Sequence, residues 1–390
     1  MDVNELLAQL APVGLSDSGG YRRLSWTPVD AELRRWFVDQ ARTRQLRVEK
    51  DRNANLWAFM GDPGAGEIVA VGSHLDSVPD GGAFDGPLGV ASAFAALDLL
   101  DHQGLRPKRP IAVVAFNEEE GARFGVPCLG SRLLTGATDP DQARGLVDAN
   151  GVTLRQAMLD AGEDPSNLGS DPALLARLHT YVELHIEQGR GLIDLGYPIA
   201  IGSEIWPHGR WRLDFLGTAD HAGTTRMQDR NDPMSHFAAT VVRVLEAARS
   251  SDIRATFGRV HVSPNSTNAI PSRVTAWLDA RAATEDALDA LVGSVGNDVA
   301  ITAESVTRPV EFDRDLRDRL ADLLGGAPVL PTAAGHDAGV LSSAGVSSAM
   351  LFVRNPTGVS HSPAEHATAE DCIVGTESLA RVLTDLGGFQ

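Results

Sequence analysis

The 390-residue chain has only two lysines, Lys50 and Lys108, and its acidic residues outnumber its basic ones by 52 to 34. The formal charge of −18 argues against a nucleic-acid-binding protein, because binding to phosphates relies on a basic surface. Nearly all the positive charge is arginine, whose planar guanidinium suits carboxylate recognition. An anionic substrate would therefore need local arginine residues that overcome the overall repulsion.

Cysteine and long apolar runs are also scarce. Cys128 and Cys372 are too few for a disulfide framework and match no zinc-binding spacing, which favours a reducing compartment. The first residues are acidic and lack the basic and apolar regions of a signal peptide, and no apolar run approaches the ~18 residues of a membrane span. There is no internal repeat, low-complexity tract or coiled-coil heptad. We predict a soluble, cytoplasmic protein that does not contact the membrane.

The order of apolar segments predicts an α/β protein of two domains. Between residues 68 and 187 strands alternate with helices, which predicts a mainly parallel sheet covered on both faces. After Gly202 the pattern changes to a β-α-β-β-α-β order, the split βαβ or ferredoxin-like arrangement. Its predicted elements are strands 211–216, 258–262, 273–281 and 300–306 and helices 232–248 and 285–295. We predict a catalytic domain of residues 1–203 and 311–390 with a small domain, 204–310, inserted into it.

The segment 72–86 has the highest density of chemically active residues. His74 and Asp76 follow the apolar run 68–71, which is typical of a buried strand. Because residues i and i+2 of an extended chain share a face, we expect the Asp76 carboxylate to accept the second imidazole N–H of His74 and fix its tautomer. Asp85 lies on a glycine-rich loop just before a predicted helix, 88–100, where a carboxylate is favoured.

Similar residues recur at three further strand or loop ends. The run 111–116 ends in Glu118, Glu119 and Glu120, the run 181–187 ends near His185 and Gln188, and a C-terminal segment contains His361. In open α/β sheets such ends form one edge at which sites occur. Two divalent ions bridged by a carboxylate need about this many ligands, and a water between them becomes a hydroxide near neutral pH. The candidate ligands are His74, Asp85, Glu119 or Glu120, His185 and His361; the residue types do not order the glutamates.

Six motifs occur together in one order along the chain. They are GSHLDSVPDGGAFDG, EEGARF, HIEQG, HAGTT, GHDAG and SHSPAE. In this order they resemble the metal-dependent amidohydrolases related to aminoacylases and carboxypeptidases, in the branch of N-carbamoyl-L-amino-acid hydrolases, β-ureidopropionases and allantoate amidohydrolases. The resemblance extends from about Tyr21 to the C-terminus.

The resemblance implies a role for each matching residue. It assigns His74 and His185 to one ion, Glu120 and His361 to the other, and Asp85 to both as a bridge. The mixed nitrogen and oxygen ligands do not select one metal strongly, so we expect Zn²⁺, Mn²⁺, Co²⁺ or Ni²⁺. Glu119 is then the general base. Asp76, through its expected bond to His74, is predicted with Glu119 and His221 as a catalytic residue. The implied substrate-binding residues are Gln188, His221, Asn268, Arg281 and His336. His221 would also stabilise the oxyanion. A homodimer formed through the small domain is implied as well.

Two departures from the family pattern lie in the small domain. Arg226 replaces a proline that commonly follows Gly-Thr-Thr, and Trp206-Pro207-His208 replaces a stretch that is usually less aromatic. Both bear on the identity of the substrate.

The predicted function is hydrolysis of a C–N bond of a ureido acid by metal-bound hydroxide. Allantoate is slightly favoured over an N-carbamoyl-L-amino acid. A dipeptidase or aminoacylase with the same metal centre is an alternative, which HIEQG disfavours. A catalytically silent, metal-stabilised dimer is an alternative of another class, and it would require a missing base or ligand.

Overall fold

The computed structural model describes residues 1–389, which form two compact units. Unit 1 consists of Met1–Ser203 and the chain from Glu311 onward, and unit 2 consists of Glu204–Val310. Among the described residues, no helix is long and apolar enough to cross a membrane.

Unit 1 contains most of the helices and strands of the chain. Its first segment contains α1 (Val3–Leu10), α2 (Pro28–Thr43), β1 (Arg47–Lys50), β2 (Leu56–Met60), β3 (Ile68–His74), α3 (Pro87–His102), β4 (Ile111–Phe116), α4 (Leu129–Thr135), α5 (Pro140–Arg144), α6 (Leu154–Asp160), a 3₁₀ turn (Pro165–Asn167), α7 (Pro172–Leu175), β5 (Leu178–Ile186), α8 (Gly191–Leu195) and all but the last two residues of β6 (Ile199–Ile205).

Unit 2 follows, and the chain then returns to unit 1. The elements of unit 2 are β7 (His208–Leu216), β8 (Asp220–His221), a 3₁₀ turn (Met227–Asp229), α9 (Pro233–Ser250), β9 (Arg254–Ser263), β10 (Ala269–Ile270), β11 (Arg273–Arg281), α10 (Glu285–Gly293) and β12 (Ala300–Thr307). The remaining elements are β13 (Val310–Glu311), α11 (Arg314–Leu323), β14 (Val329–Thr332), α12 (Asp337–Ser343), β15 (Ser347–Val353) and α13 (Ala369–Gly387).

The main sheet has the strand order β1-β2-β4-β3-β5-β15-β6-β13, with β14 beside β6. Its centre, β4-β3-β5-β15, is parallel, whereas β1, β2 and β6 join it as antiparallel strands. Every residue of β3 and β4 is buried, as expected for strands covered by helices on both faces. The predicted α/β fold with a mainly parallel sheet is confirmed.

Helix α13 forms a large part of the helical layer over the main sheet. The sequence analysis did not predict this helix. Thr368 caps its N-terminus by accepting the Asp371 N–H, and the helix packs against α3 and β15. Its buried face includes Thr376 and Ser378. Polar residues within that face obscure the apolar periodicity on which a helix prediction depends.

Unit 2 contains a four-stranded antiparallel sheet in the order β12-β7-β11-β9. Alternate residues of β11, such as Val274 and Leu278, share one apolar core with Val244 of α9 and Leu288 of α10. The chain order of these strands and helices is the split βαβ order. The opposite face of the sheet is covered by neither helix and carries charged residues.

Candidate metal centre

The parallel strands bring the predicted ligands to one edge of the main sheet. His74 is the last residue of β3, Glu119 and Glu120 follow β4, and His185 is the penultimate residue of β5. His361 lies on the loop between β15 and α13. Because parallel strands end at the same edge, residues distant in sequence meet there.

Asp85 lies at the centre of this cluster. Its Oδ1 is 3.1 Å from His185 Nε2 and 3.4 Å from His74 Nε2, and its Oδ2 is 3.5 Å from His361 Nε2. Two groups of candidate ligands share this carboxylate. One consists of His74, Asp85 and His185, the other of Asp85, Glu120 and His361, and within each group the ligand atoms lie within 4.8 Å of one another.

The three consecutive glutamates point in different directions. The Oε1 of Glu118 accepts the N–H groups of Arg123 and Phe124 and thereby closes the loop after β4. Glu119 Oε2 is 3.7 Å from His74 Nε2, whereas Glu120 Oε2 is 3.3 Å from His361 Nε2. Glu120 thus lies in the second ligand group and Glu119 lies beside the first.

Charge and hydrogen bonding both fit a bound cation. The buried Nε2 atoms of His74 and His185 have no hydrogen-bond partner of normal geometry, although each faces Asp85. Burial raises the pKa of Glu119 and of Glu120 well above the usual glutamate value. Burial would raise the pKa of Asp85 too, but His185 and His74 hold it well below its usual value. Divalent cations would satisfy the imidazole nitrogens and offset the repulsion between the carboxylates.

The loop that carries Asp85 is held by close packing. Glu365 Oε1 accepts the N–H groups of Phe84 and Asp85 at 2.9 and 3.0 Å. Gly86 has a φ of +83°, and a Cβ there would lie 2.5 Å from the His74 ring. Only glycine leaves room for the imidazole at this backbone conformation, so Gly86 fixes the approach of His74 to Asp85.

The predicted hydrogen bond from His74 to the Asp76 carboxylate needs correction. His74 Nδ1 lies 3.1 Å from the main-chain oxygen of Asp76 and 3.6 Å from its carboxylate. The carboxylate instead accepts the N–H groups of Glu119 and Glu120, at 3.2 and 3.1 Å. The loop after β4 supplies two backbone donors, which a prediction from spacing within one strand does not consider. Asp76 thus positions both glutamates, and its main chain orients His74.

Cys128 and Ser360 also contact the cluster, although the sequence analysis did not predict it. Cys128 is buried, and its thiol donates to Glu119 Oε1 at 3.4 Å while its N–H donates to the Glu119 carbonyl oxygen at 2.5 Å. Ser360 donates to Asp85 Oδ2 at 3.2 Å. The contact of Ser360 could have been predicted, because Ser360 directly precedes the predicted ligand His361. Cys128 gave no such signal, because its contact depends on its left-handed backbone, with a φ of +53°.

Two predicted substrate-binding residues belong to unit 1. Gln188 Nε2 donates to Asp85 Oδ2 at 2.8 Å, so this side chain reaches the shared carboxylate. His336 is buried before α12, and its ring centroid is 4.5 Å from that of His185. The structure therefore brings both residues to the metal-ligand cluster.

The other three predicted substrate-binding residues belong to unit 2. His221 and Asn268 lie together, because β8 pairs with β10 and the Ala222 N–H donates to the Asn268 carbonyl oxygen. His221 Nδ1 accepts the Gly223 N–H at 2.9 Å, which leaves the ring proton of a neutral His221 on the exposed side, at Nε2. Arg281 ends β11, and its Nε lies 3.2 Å from Asp279 Oδ1.

Glu187, which follows β5, stabilises the start of the next helix. It accepts the N–H groups of Gly191 and Leu192 at the start of α8.

The parallel centre of the main sheet ends at an edge where two groups of candidate ligands share one carboxylate. This arrangement suits a hydrolase that holds metal ions. The model of peptidase family M20/M25/M40 matches residues 70–385 of this chain. The chain therefore belongs to that family, and it is a hydrolase acting on carbon–nitrogen bonds. The family resemblance expected from the motifs is confirmed.

Similar proteins cover nearly the whole chain. The N-carbamoyl-L-amino acid amidohydrolase of Geobacillus stearothermophilus is 37% identical, with 97% of each chain covered. The allantoate amidohydrolase of Escherichia coli (strain K12) is 31% identical, with 98% of this chain and 97% of the relative covered. The crystal structure of AtUAH in complex with (S)-hydroxyglycine has a TM-score of 0.87 at 25% identity, covering 99% of this chain and 97% of the other.

Proposed function

We propose that this protein is a metal-dependent amidohydrolase that cleaves a non-peptide C–N bond of a ureido acid. The observation that carries the proposal is the pair of ligand groups sharing Asp85, with Glu119 beside them but in neither group. A hydrolytic site needs a base that reaches the attacking water without serving as a ligand. The names of the relatives from Geobacillus stearothermophilus and Escherichia coli support the substrate class.

Two divalent ions are proposed for each chain. His74 and His185 would hold one, Glu120 and His361 the other, and Asp85 both. When bound, such ions polarise the scissile carbonyl and lower the pKa of a water molecule. The mixed nitrogen and oxygen ligands do not select strongly among Zn²⁺, Mn²⁺, Co²⁺ and Ni²⁺.

Glu119 is proposed to take a proton from the attacking water and deliver it to the leaving nitrogen. Asp76 holds the Glu119 main chain, and Cys128 donates to one carboxylate oxygen, so the other is fixed towards His74. Burial raises the pKa of Glu119, which strengthens it as a base while it is ionised. These contacts hold the carboxylate ready for proton transfer.

The remaining predicted residues are proposed to bind the substrate. His221 carries its ring proton on Nε2 and is thereby suited to donate to a developing oxyanion. Arg281 is proposed to bind the substrate carboxylate through a forked pair. Asn268, Gln188 and His336 complete the proposed substrate-binding set.

N-carbamoyl-L-amino acids are the first substrates to consider, because the relative with that name shares 37% identity against 31% for the Escherichia coli allantoate amidohydrolase. The reaction would be R–NH–CO–NH₂ + H₂O → R–NH₂ + CO₂ + NH₃. Allantoate is the second candidate, and the slight preference for it, which came from Trp206, His208, Arg226 and residues 352–358, stays a prediction. The aminopeptidase PepT structure, at 15% identity and a TM-score of 0.61, is similar in fold alone and lends no support to a peptidase.

A homodimer formed through unit 2 is also proposed. Strand β12 is an edge of the unit 2 sheet, and its residues from Ala300 to Val306 are all exposed. Ile301 and Val306 add exposed apolar side chains to this unpaired edge, which pairing with a second chain would cover. Light scattering coupled to size exclusion tests the dimer.

The proposed activity is tested by assaying ammonia release from N-carbamoyl-L-amino acids and allantoate, and release of free amino acids from dipeptides. Chelation should abolish hydrolysis of the ureido acids, and Mn²⁺, Zn²⁺, Co²⁺ or Ni²⁺ should restore it. Hydrolysis of dipeptides but of no ureido acid would establish the dipeptidase alternative. A metal-loaded dimer that hydrolyses nothing in the panel would favour the silent protein.

A further inference from the structure

A row of basic residues crosses the uncovered face of the unit 2 sheet. Arg281 of β11 is directly opposite His208 of β7 on one side and directly opposite Arg254 of β9 on the other. All three side chains point away from α9 and α10, because the neighbouring residues Ala280 and Ala255 pack in the apolar core. Residues paired in this way have Cβ atoms about 5 Å apart. Two arginines and a histidine therefore share one row.

Like charges directly opposite each other destabilise a sheet, so the row needs compensating negative charge. Asp279 lies on the same face and is shared, at 3.2 Å from Arg281 Nε and 3.7 Å from an Arg210 nitrogen. Asp252 is 3.2 Å from Arg254, but its side chain is 91% exposed, and such surface pairs contribute little. Asp279 thus contacts two arginines, Arg210 and Arg281. The row therefore places three basic residues side by side in a chain of net charge −18.

Trp206 holds Arg254 in this arrangement. The Arg254 guanidinium lies 4.9 Å from the centre of the Trp206 ring, a cation–π contact. Trp206 precedes β7, whereas Arg254 begins β9, and β11 runs between these strands. The cation–π contact therefore links the start of β9 to the segment before β7, across the end of β11, while Arg254 Nη1 also donates to the Asp252 carbonyl oxygen. The Ala282 N–H donates to the Pro207 carbonyl oxygen and fixes the Trp206 segment there.

We propose that Arg254 and His208 bind a second carboxylate of the substrate next to Arg281, so that the preferred substrate is an N-carbamoyl derivative of a dicarboxylic amino acid. This inference rests on the proposed function, in which Arg281 binds the first carboxylate. It gives the unusual Trp206-Pro207-His208 segment a role in specificity, because Trp206 positions the arginine that distinguishes an acidic side chain from a neutral one.

The matched substrates are N-carbamoyl-L-glutamate and N-carbamoyl-L-glutamine, which differ by one charged group. We expect the wild-type kcat/KM to favour the glutamate derivative at least tenfold. Arg254→Gln should reduce that ratio roughly ten- to a hundredfold, as expected for loss of a charge-assisted hydrogen bond. Arg259→Gln is the matched control, because Arg259 also lies on β9 over a tryptophan, 4.2 Å from the Trp277 ring centre, but outside the row. The control should leave the ratio unchanged.

Calorimetric titration with glutarate and with butyrate separates this inference from the proposed function. If no ureido acid is hydrolysed, the proposed function fails. The row of basic residues is then still tested by binding, because Arg254→Gln should weaken the binding of glutarate more than the binding of butyrate. A wild-type enzyme without preference for the glutamate derivative would overturn the inference. So would an Arg254→Gln variant whose substrate ratio matches that of Arg259→Gln.

Discussion

The close approach of Gly86 to His74 gives a sharp prediction about metal affinity. In Gly86→Ala the new methyl group would lie 2.5 Å from the Nδ1 and Cε1 atoms of His74. His74 is fully buried, so its ring has little room to yield. A displaced imidazole no longer holds its Nε2 at 3.4 Å from the carboxylate of Asp85. The substitution should therefore weaken the site formed with His185.

The magnitude follows from two separate costs. A non-glycine residue at the positive φ of Gly86 costs about 1–3 kcal/mol of backbone strain, and overpacking against the ring costs a further ~1–3 kcal/mol. The second cost bears on the position of His74. At 1.4 kcal/mol for each tenfold change, we expect metal affinity to fall roughly five- to a hundredfold at that site.

Gly104→Ala is the control that separates the two costs. Gly104 has a φ of +71°, but a Cβ there would have no neighbour within 4 Å. It should lower the thermal midpoint through backbone strain alone and leave metal affinity unchanged. The assay is chelator competition, with metal content measured by mass spectrometry. If Gly86→Ala binds metal as tightly as Gly104→Ala, the account of His74 is refuted.

Three further predictions concern the proposed reaction. Glu119→Gln should lower kcat by ~10²–10⁴ with metal content intact; an emptied site would instead make Glu119 a ligand. Cys128→Ala should lower kcat several-fold at constant KM, and Cys128→Ser should restore part of it. Cys372→Ala, at a buried cysteine of α13, is the control and should leave kcat unchanged. Equal effects of the two alanine variants would show that Cys128 contributes only packing. Arg281→Lys should cost about 1.5–3 kcal/mol in kcat/KM for acid substrates but little for their amides; equal losses on both would show a structural role.

Strand positions and the ligand types were predictable because their causes are local or periodic. Buried parallel strands such as β3 and β4 are continuous apolar runs, and the polar residues that follow them meet at one edge. The split βαβ order of unit 2 was likewise visible in the alternation of strands and helices. Residue types at strand ends thus identified most of the cluster.

The contacts that were missed depend on the path of loops. The Asp76 carboxylate accepts the N–H groups of Glu119 and Glu120, and not that of His74, because the loop after β4 turns its N–H groups towards it. Cys128 reaches Glu119 only through a left-handed turn. Neither the turn nor the loop path is encoded in periodicity, so spacing along one strand could not predict these contacts.

Two metal ions sharing Asp85 are the central claim, and metal content per chain tests it most directly. The measurement is made by mass spectrometry after removal of loosely bound metal. The samples are active wild-type enzyme and the His185→Ala and His361→Ala variants. We predict two ions per chain in the wild type and a loss of about one in each variant, because each histidine belongs to a different ligand group. The account would be contradicted by a fully active wild-type enzyme that binds a single ion and loses it in either variant.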